Sequence, residues 1–140
     1  MEVTWSRREF SKKSGVAERK VLFYTEQEMF PGVRLDVGRG TARIYTITEL
    51  RDLRLIQELR EFGLPLIKIK PLIRYVHQIA DKWLPQGQLV AEFHIYWDMK
   101  KDRAYGYYTA DWQSGKPVEK VESPFMLDIN LSVIFRGINE

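Results

Sequence analysis

The 140-residue chain contains no cysteine. That excludes a disulfide framework and any thiolate-held metal site. Histidine is almost as scarce. Only His77 and His94 occur, on separate predicted elements, where each reads as an ordinary side chain rather than a ligand. A zinc or copper ion would then depend on carboxylates, which suit those ions poorly, so no metal and no other cofactor is expected. No apolar run approaches the eighteen residues of a membrane span, and the start MEVTWSRREF lacks the apolar core of a secretion signal. The expectation is a cytoplasmic protein with no membrane partner. No glycine-rich phosphate loop follows a strand, and Asp98, Asp102 and Asp111 cluster around a predicted hairpin, where aspartate commonly belongs to the turn. Nothing argues for catalysis, and the chain is read as not an enzyme.

What is present suffices for a packed protein: 44% apolar and 13% aromatic residues. The net charge of +3 becomes informative once divided. Residues 1–85 hold sixteen basic against eleven acidic side chains, a net of +5, whereas residues 86–140 hold six against eight, a net of −2. A polyanionic partner would therefore meet the first part.

Ser6-Arg7-Arg8-Glu9 has the form of a capping box, with Trp5 and Phe10 placed as its hydrophobic staple. A short helix over 7–13 should stop at Ser14-Gly15. A second helix is expected from Ala17 to Met29, ended by Pro31-Gly32, with Phe23 in the core. The stretch 33–45, with Gly38 and Gly40 between β-prone pieces, predicts a hairpin. Thr46-Ile47-Thr48-Glu49 is a second capping box. It starts a helix whose apolar face is Leu50, Leu53, Ile56, Leu59 and Phe62, with Gly63 as the stop. Its arginines Arg51, Arg54 and Arg60 alternate with Glu49, Asp52, Glu58 and Glu61 and read as a solvated, salt-bridged face.

Pro65 and Pro71 argue against one continuous helix across 64–84. The expectation is a helical turn at 66–70, then a new helix starting at Pro71 with Leu72, Val76, Ile79 and Trp83 buried. Beyond Gly87, residues 88–98 and 103–112 predict a β-hairpin, and 127–137 alternates like a final strand. The fold class is α+β: an N-terminal winged helix-turn-helix over 1–70, a connecting helix over 71–87, and a small aromatic-rich antiparallel β-sheet over 88–140.

The residues also carry a resemblance. Ser14-Gly15-Val16, then Phe23-Tyr24, then Met29-Phe30-Pro31, followed by Gly40-Thr41-Ala42-Arg43-Ile44-Tyr45, resembles the MerR-type transcription regulators. Leu50, Leu53, Ile56, Leu59, Gly63, Leu64 and Ile69 match the apolar and glycine positions of that family's third and fourth helices, so the likeness spans about residues 8–72. It implies a sequence-specific duplex-DNA-binding regulator that works as a homodimer. The departures are specific. Leu22 stands where the family has an arginine that grips a phosphate, and Glu28 stands where a glycine is usual. The helix from Pro71 to Leu84 is too short for the family's long dimerisation helix.

On that resemblance the second helix presents Glu18, Arg19 and Lys20 to base edges, with Glu18 either on cytosine or paired with a neighbouring lysine, and Tyr24 either toward a phosphate or in the core. Arg34, Arg39, Arg43 and Tyr45 belong to the wing, whose arginines can track the backbone; Lys12 and Lys13 either reach phosphate from the first helix or stay solvated. Ten of the eighteen aromatic residues lie between Trp83 and Phe135. They suit a dimerisation module, a pocket for a small apolar or aromatic effector, an adaptor that has kept the fold and lost DNA binding, or a platform for single-stranded nucleic acid.

Overall fold

Ser6 and Thr46 each open a helix, and one β-bridge ties together the residues just before them. The amide of Trp5 donates to the carbonyl of Tyr45 at 2.8 Å, and the amide of Tyr45 donates back at 2.9 Å. Helix α1 (Arg7–Ser14) is closed by its capping box: Glu9 N–H donates to Ser6 Oγ at 3.2 Å and Ser6 N–H donates to Glu9 Oε1 at 2.9 Å. The Trp5 and Phe10 rings of the expected staple lie 6.3 Å apart. Helix α3 (Ile47–Phe62) has the second box, with Thr46 N–H donating to Glu49 Oε1 at 2.8 Å. Gly15 and Gly63 end these helices at φ 73° and 104°, a left-handed conformation that costs glycine nothing.

The structure, a computed structural model, describes residues 2–35, 42–83, 93–98, 103–108, 126–136 and 138. It divides into two units, Met1–Gly63 with Gly137–Glu140, and Leu64–Arg136. Between α1 and α3 the first unit carries helix α2 (Glu18–Glu26) and a two-residue antiparallel ladder of β1 (Arg34–Leu35) with β2 (Arg43–Ile44). The expected Gly38–Gly40 tip lies outside the described residues. Aromatic rings fill the middle of this unit. Phe10 stacks on Tyr45 at 4.7 Å and meets Phe30 edge-on at 6.1 Å, while Phe30 meets Tyr45 edge-on at 6.0 Å. Such ring pairs add about 0.5–1.5 kcal/mol each beyond the area they bury.

Besides Phe62, placed on the apolar face with Leu53 and Leu59 but 65% exposed, four expectations need correction. Helix α2 ends at Glu26, three residues before Met29, because Glu28 turns left-handed at φ 59°. The Glu28 amide then reaches the Thr25 carbonyl and the Met29 amide the Tyr24 carbonyl, both at 3.0 Å, the paired bonds of a Schellman stop. Glu28 thus stands where a backbone turn of this hand favours glycine. Second, Glu49 and Asp52 are buried (1% and 3% exposed) instead of lying on a solvated face. The capping box draws Glu49 over the start of α3, where its carboxylate also accepts from Thr46 Oγ1 at 2.9 Å. Arg51 beside them is half-buried. That burial lowers its pKa, against the opposing pull of Asp52.

Third, the second unit opens with one continuous helix, α4 (Leu66–Trp83), with Pro71 inside it. The expected break between 70 and 71 falls within this helix. Pro71 removes a single bond, the one to the carbonyl of Ile67, and both residues lie on the exposed side, where water can take that carbonyl. Ile69, Leu72, Ile73 and Val76 bury the opposite stripe. The Ile79 and Trp83 side chains lie outside the described residues. Fourth, the strand expected over 127–137 ends early. β5 (Met126–Asn130) gives way to a helical turn, α5 (Leu131–Ile134), because Asn130 Oδ1 accepts the amide of Val133 at 3.2 Å and caps it. β5 and β4 (Arg103–Tyr108) flank β3 (Phe93–Asp98), both antiparallel, with Ile95 opposite Ile129 and Gly106. Trp97, Ile129, Leu131 and Phe135 are buried in this unit. The other ring side chains of β3 and β4 lie outside the described residues. Among the described residues no helix is long and apolar enough to cross a membrane.

Candidate nucleic-acid interface

The turn between α1 and α2 is braced by two serines of α1. Ser11 Oγ donates to the Val16 carbonyl at 2.6 Å, and the Val16 amide donates to Ser14 Oγ at 3.2 Å. Val16 itself is buried, which pins the turn to the core and fixes where α2 begins. Ala17 is the N-cap of α2 and makes no side-chain capping bond. The first amides of α2 therefore lack the side-chain acceptor that Ser6 gives α1.

Helical phase sorts the side chains of α2. Val21 and Tyr24, three apart, turn inward and are 0% and 3% exposed. Arg19, Phe23 and Glu26 fall on the opposite side, all exposed, with Lys20 beside them. Phe23 is 47% exposed, which corrects the expectation of a core position. Tyr24 takes that inward place. Glu18 is exposed and pairs with Arg7, Nε to Oε1 at 3.2 Å. Both partners stay about half open to water, so the pair is worth little in stability. Its effect is to hold one end of α2 to α1. Neither Arg19 nor Lys20 forms an ion pair with a described residue.

The remaining expected contacts divide between surface and core. Lys12 and Lys13 are exposed in the last turn of α1. Arg34 is exposed and meets Glu2 at 3.1 Å; Arg43 is half-buried on the facing strand; Arg39 lies outside the described residues. Tyr45 is fully buried. Its hydroxyl lies 2.8 Å from Thr25 Oγ1, which itself donates to the Val21 carbonyl at 2.8 Å, leaving Tyr45 as the donor between them. Burial pushes the Tyr45 phenol above its usual pKa, against the Thr25 contact and the nearby Arg7 and Arg43 charges. Tyr24 and Tyr45 are thus core residues in this structure, not members of a surface set. Tyr45 ties the second strand to α2. Sequence reasoning missed this link and the Arg7–Glu18 pair, since neither partner set is close along the chain.

The result is a helix-turn-helix whose second helix offers an outward face of Arg19, Lys20, Phe23 and Glu26, a geometry belonging to DNA-binding regulators. The family model for MerR HTH family regulatory protein matches residues 6–76, half of the chain. The protein belongs to that family. No curated protein and no solved structure matches the chain.

Proposed function

We propose that the protein is a sequence-specific, duplex-DNA-binding transcription regulator that lays α2 in the major groove and acts as a dimer. One observation carries this reading. Arg19 and Lys20 stand exposed in the first turn of α2, behind the non-capping Ala17, and neither forms an ion pair with a described residue, whereas Arg7 in the first turn of α1 is paired with Glu18. At a phosphate-lined groove the same positions become favourable, because the uncapped amides and both side chains address one polyanion. Arg19 is suited to guanine, whose O6 and N7 accept a guanidinium in bidentate fashion. Arg34 and Arg43, with the loop between their strands as a wing, track the neighbouring phosphates. The second unit supplies the dimer contact, since one small head offers few base contacts against a genome of competing sites.

Selection of duplexes from a random pool at moderate salt tests this. A palindromic consensus with half-sites about one helical turn apart is the expected outcome. Arg19→Ala then relaxes the consensus, while Arg43→Ala weakens all duplexes alike and lowers the salt slope by about one. Enrichment of no sequence would refute the proposal.

A further inference from the structure

The proposed major-groove face of α2 is not purely polar. Phe23 sits at its centre, 47% exposed, one turn from Arg19 and from Glu26. Its ring touches the tilted ring of Tyr24 at 5.8 Å, so one edge is supported by the core while the rest faces outward. Leu22, half-buried, continues the apolar surface on one side. An exposed phenylalanine costs solubility and adds little to folding. Its cationic neighbours Arg19 and Lys20 mark the occupant of this face as a polyanion. Phosphates offer nothing to a benzene ring. The one apolar group a duplex displays in its major groove is the C5 methyl of thymine, and phenylalanine is among the side chains that meet it. Glu26 on the same face agrees with base edges and not with phosphates, because cytosine N4–H2 and adenine N6–H2 both donate to a carboxylate.

Resting on the duplex-binding reading, we infer that Phe23 is a specificity-determining residue that reads a thymine methyl, so that the half-site carries a required thymine beside the base pair read by Arg19. The ring packs on the methyl, and water leaves both. Nothing in this contact depends on hydrogen bonding, so removing the methyl alone should reveal it.

The test uses the full chain and its selected duplex, with each thymidine replaced in turn by deoxyuridine, which lacks only the methyl. Loss of one buried methyl predicts weakening of about fourfold at one position per half-site and little change elsewhere. Phe23→Ala should bind the thymidine and deoxyuridine duplexes equally, and Phe23→Leu should keep part of the difference. Equal binding of both duplexes by the parent at every position would overturn the inference while leaving duplex binding intact. So would a Phe23→Ala chain that still distinguishes them, because another side chain would then read the methyl, or one that fails to fold, because the ring would then serve the core and not the duplex. If the parent selects no duplex at all, both the inference and the reading beneath it fall, and the apolar face passes to a protein partner.

Discussion

Helices α1 and α2 are neighbours of similar length joined by one tight turn, yet their ends are built differently. α1 has a complete capping box at Ser6, two bases and one acid in its first turn (Arg7, Arg8 and Glu9), basic Lys12 and Lys13 in its last, and Gly15 at its left-handed stop. α2 has Ala17 as an idle cap, the same first-turn balance in Glu18, Arg19 and Lys20, no basic residue in its last turn, and Glu28 forced to φ 59°. Its outward face even exposes Phe23. α1 is built to fold and to hold the turn. α2 is held in place by the inward pair Val21 and Tyr24 and by the Tyr45–Thr25–Val21 hydrogen-bond chain, which frees its other face from structural duty.

The largest effect that could break this contrast concerns two phenylalanines. Phe10 on α1 is fully buried against Tyr45, Phe30 and Trp5. Phe10→Ala should cost about 3–5 kcal/mol, from lost transfer energy and the cavity left behind. Phe23→Ala on α2 should change stability by no more than about 0.5 kcal/mol. Urea melts of the two variants measure both. Comparable losses would mean that α2 has no free outward face.

A smaller effect sharpens the point at the end of α2. Glu28 is the only described non-glycine residue with positive φ, a conformation costing an L-residue about 1–2 kcal/mol. Glu28→Gly relieves that strain but adds unfolded-state freedom, which returns part of the gain. The expected net is a stabilisation of about 0.5–1 kcal/mol, read as a rise of a few degrees in melting temperature. A fall would show that contacts of the Glu28 side chain outweigh its backbone strain.

The contrast also explains what the sequence disclosed. Both capping boxes were legible because each needs only residues three apart, and the stops at Gly15 and Gly63 because glycine is the residue such a turn favours. The exposure of Glu18, Arg19 and Lys20 followed from their place just after the turn. Phe23 was read as core and is exposed, while Tyr24, open between core and contact in the sequence, lies in the core, where its ring meets Phe30 edge-on at 6.5 Å. Pro71 misled for a different reason. A local prohibition was overruled by the buried stripe Ile69, Leu72, Ile73 and Val76, with the lost bond on the wet side. The run after Asn130 alternated like a strand, and one side-chain cap turned it into a helix.

The smallest expected effect is the most pointed test, because it concerns sign and not size. Lys12 and Lys13 lie in the last turn of α1, where a positive charge complements the dipole; Arg19 and Lys20 lie in the first turn of α2, where it opposes it. All four are exposed, and none forms an ion pair with a described residue. Lys12→Ala and Lys13→Ala should therefore lower stability by about 0.3 kcal/mol each, whereas Arg19→Ala and Lys20→Ala should raise it by a similar amount. Alanine is the better helix former at every site, so propensity shifts all four upward by a few tenths at most and leaves the difference between the pairs intact. Salt supplies the control. The gap between the pairs should be widest at low ionic strength and should close toward 1 M salt, where the screening length falls to about 3 Å. Four changes of equal sign and size at low salt would dissolve the contrast between the helices. Opposite signs, joined to a loss of duplex binding confined to the α2 pair, would show folding stability yielded at the positions that meet DNA.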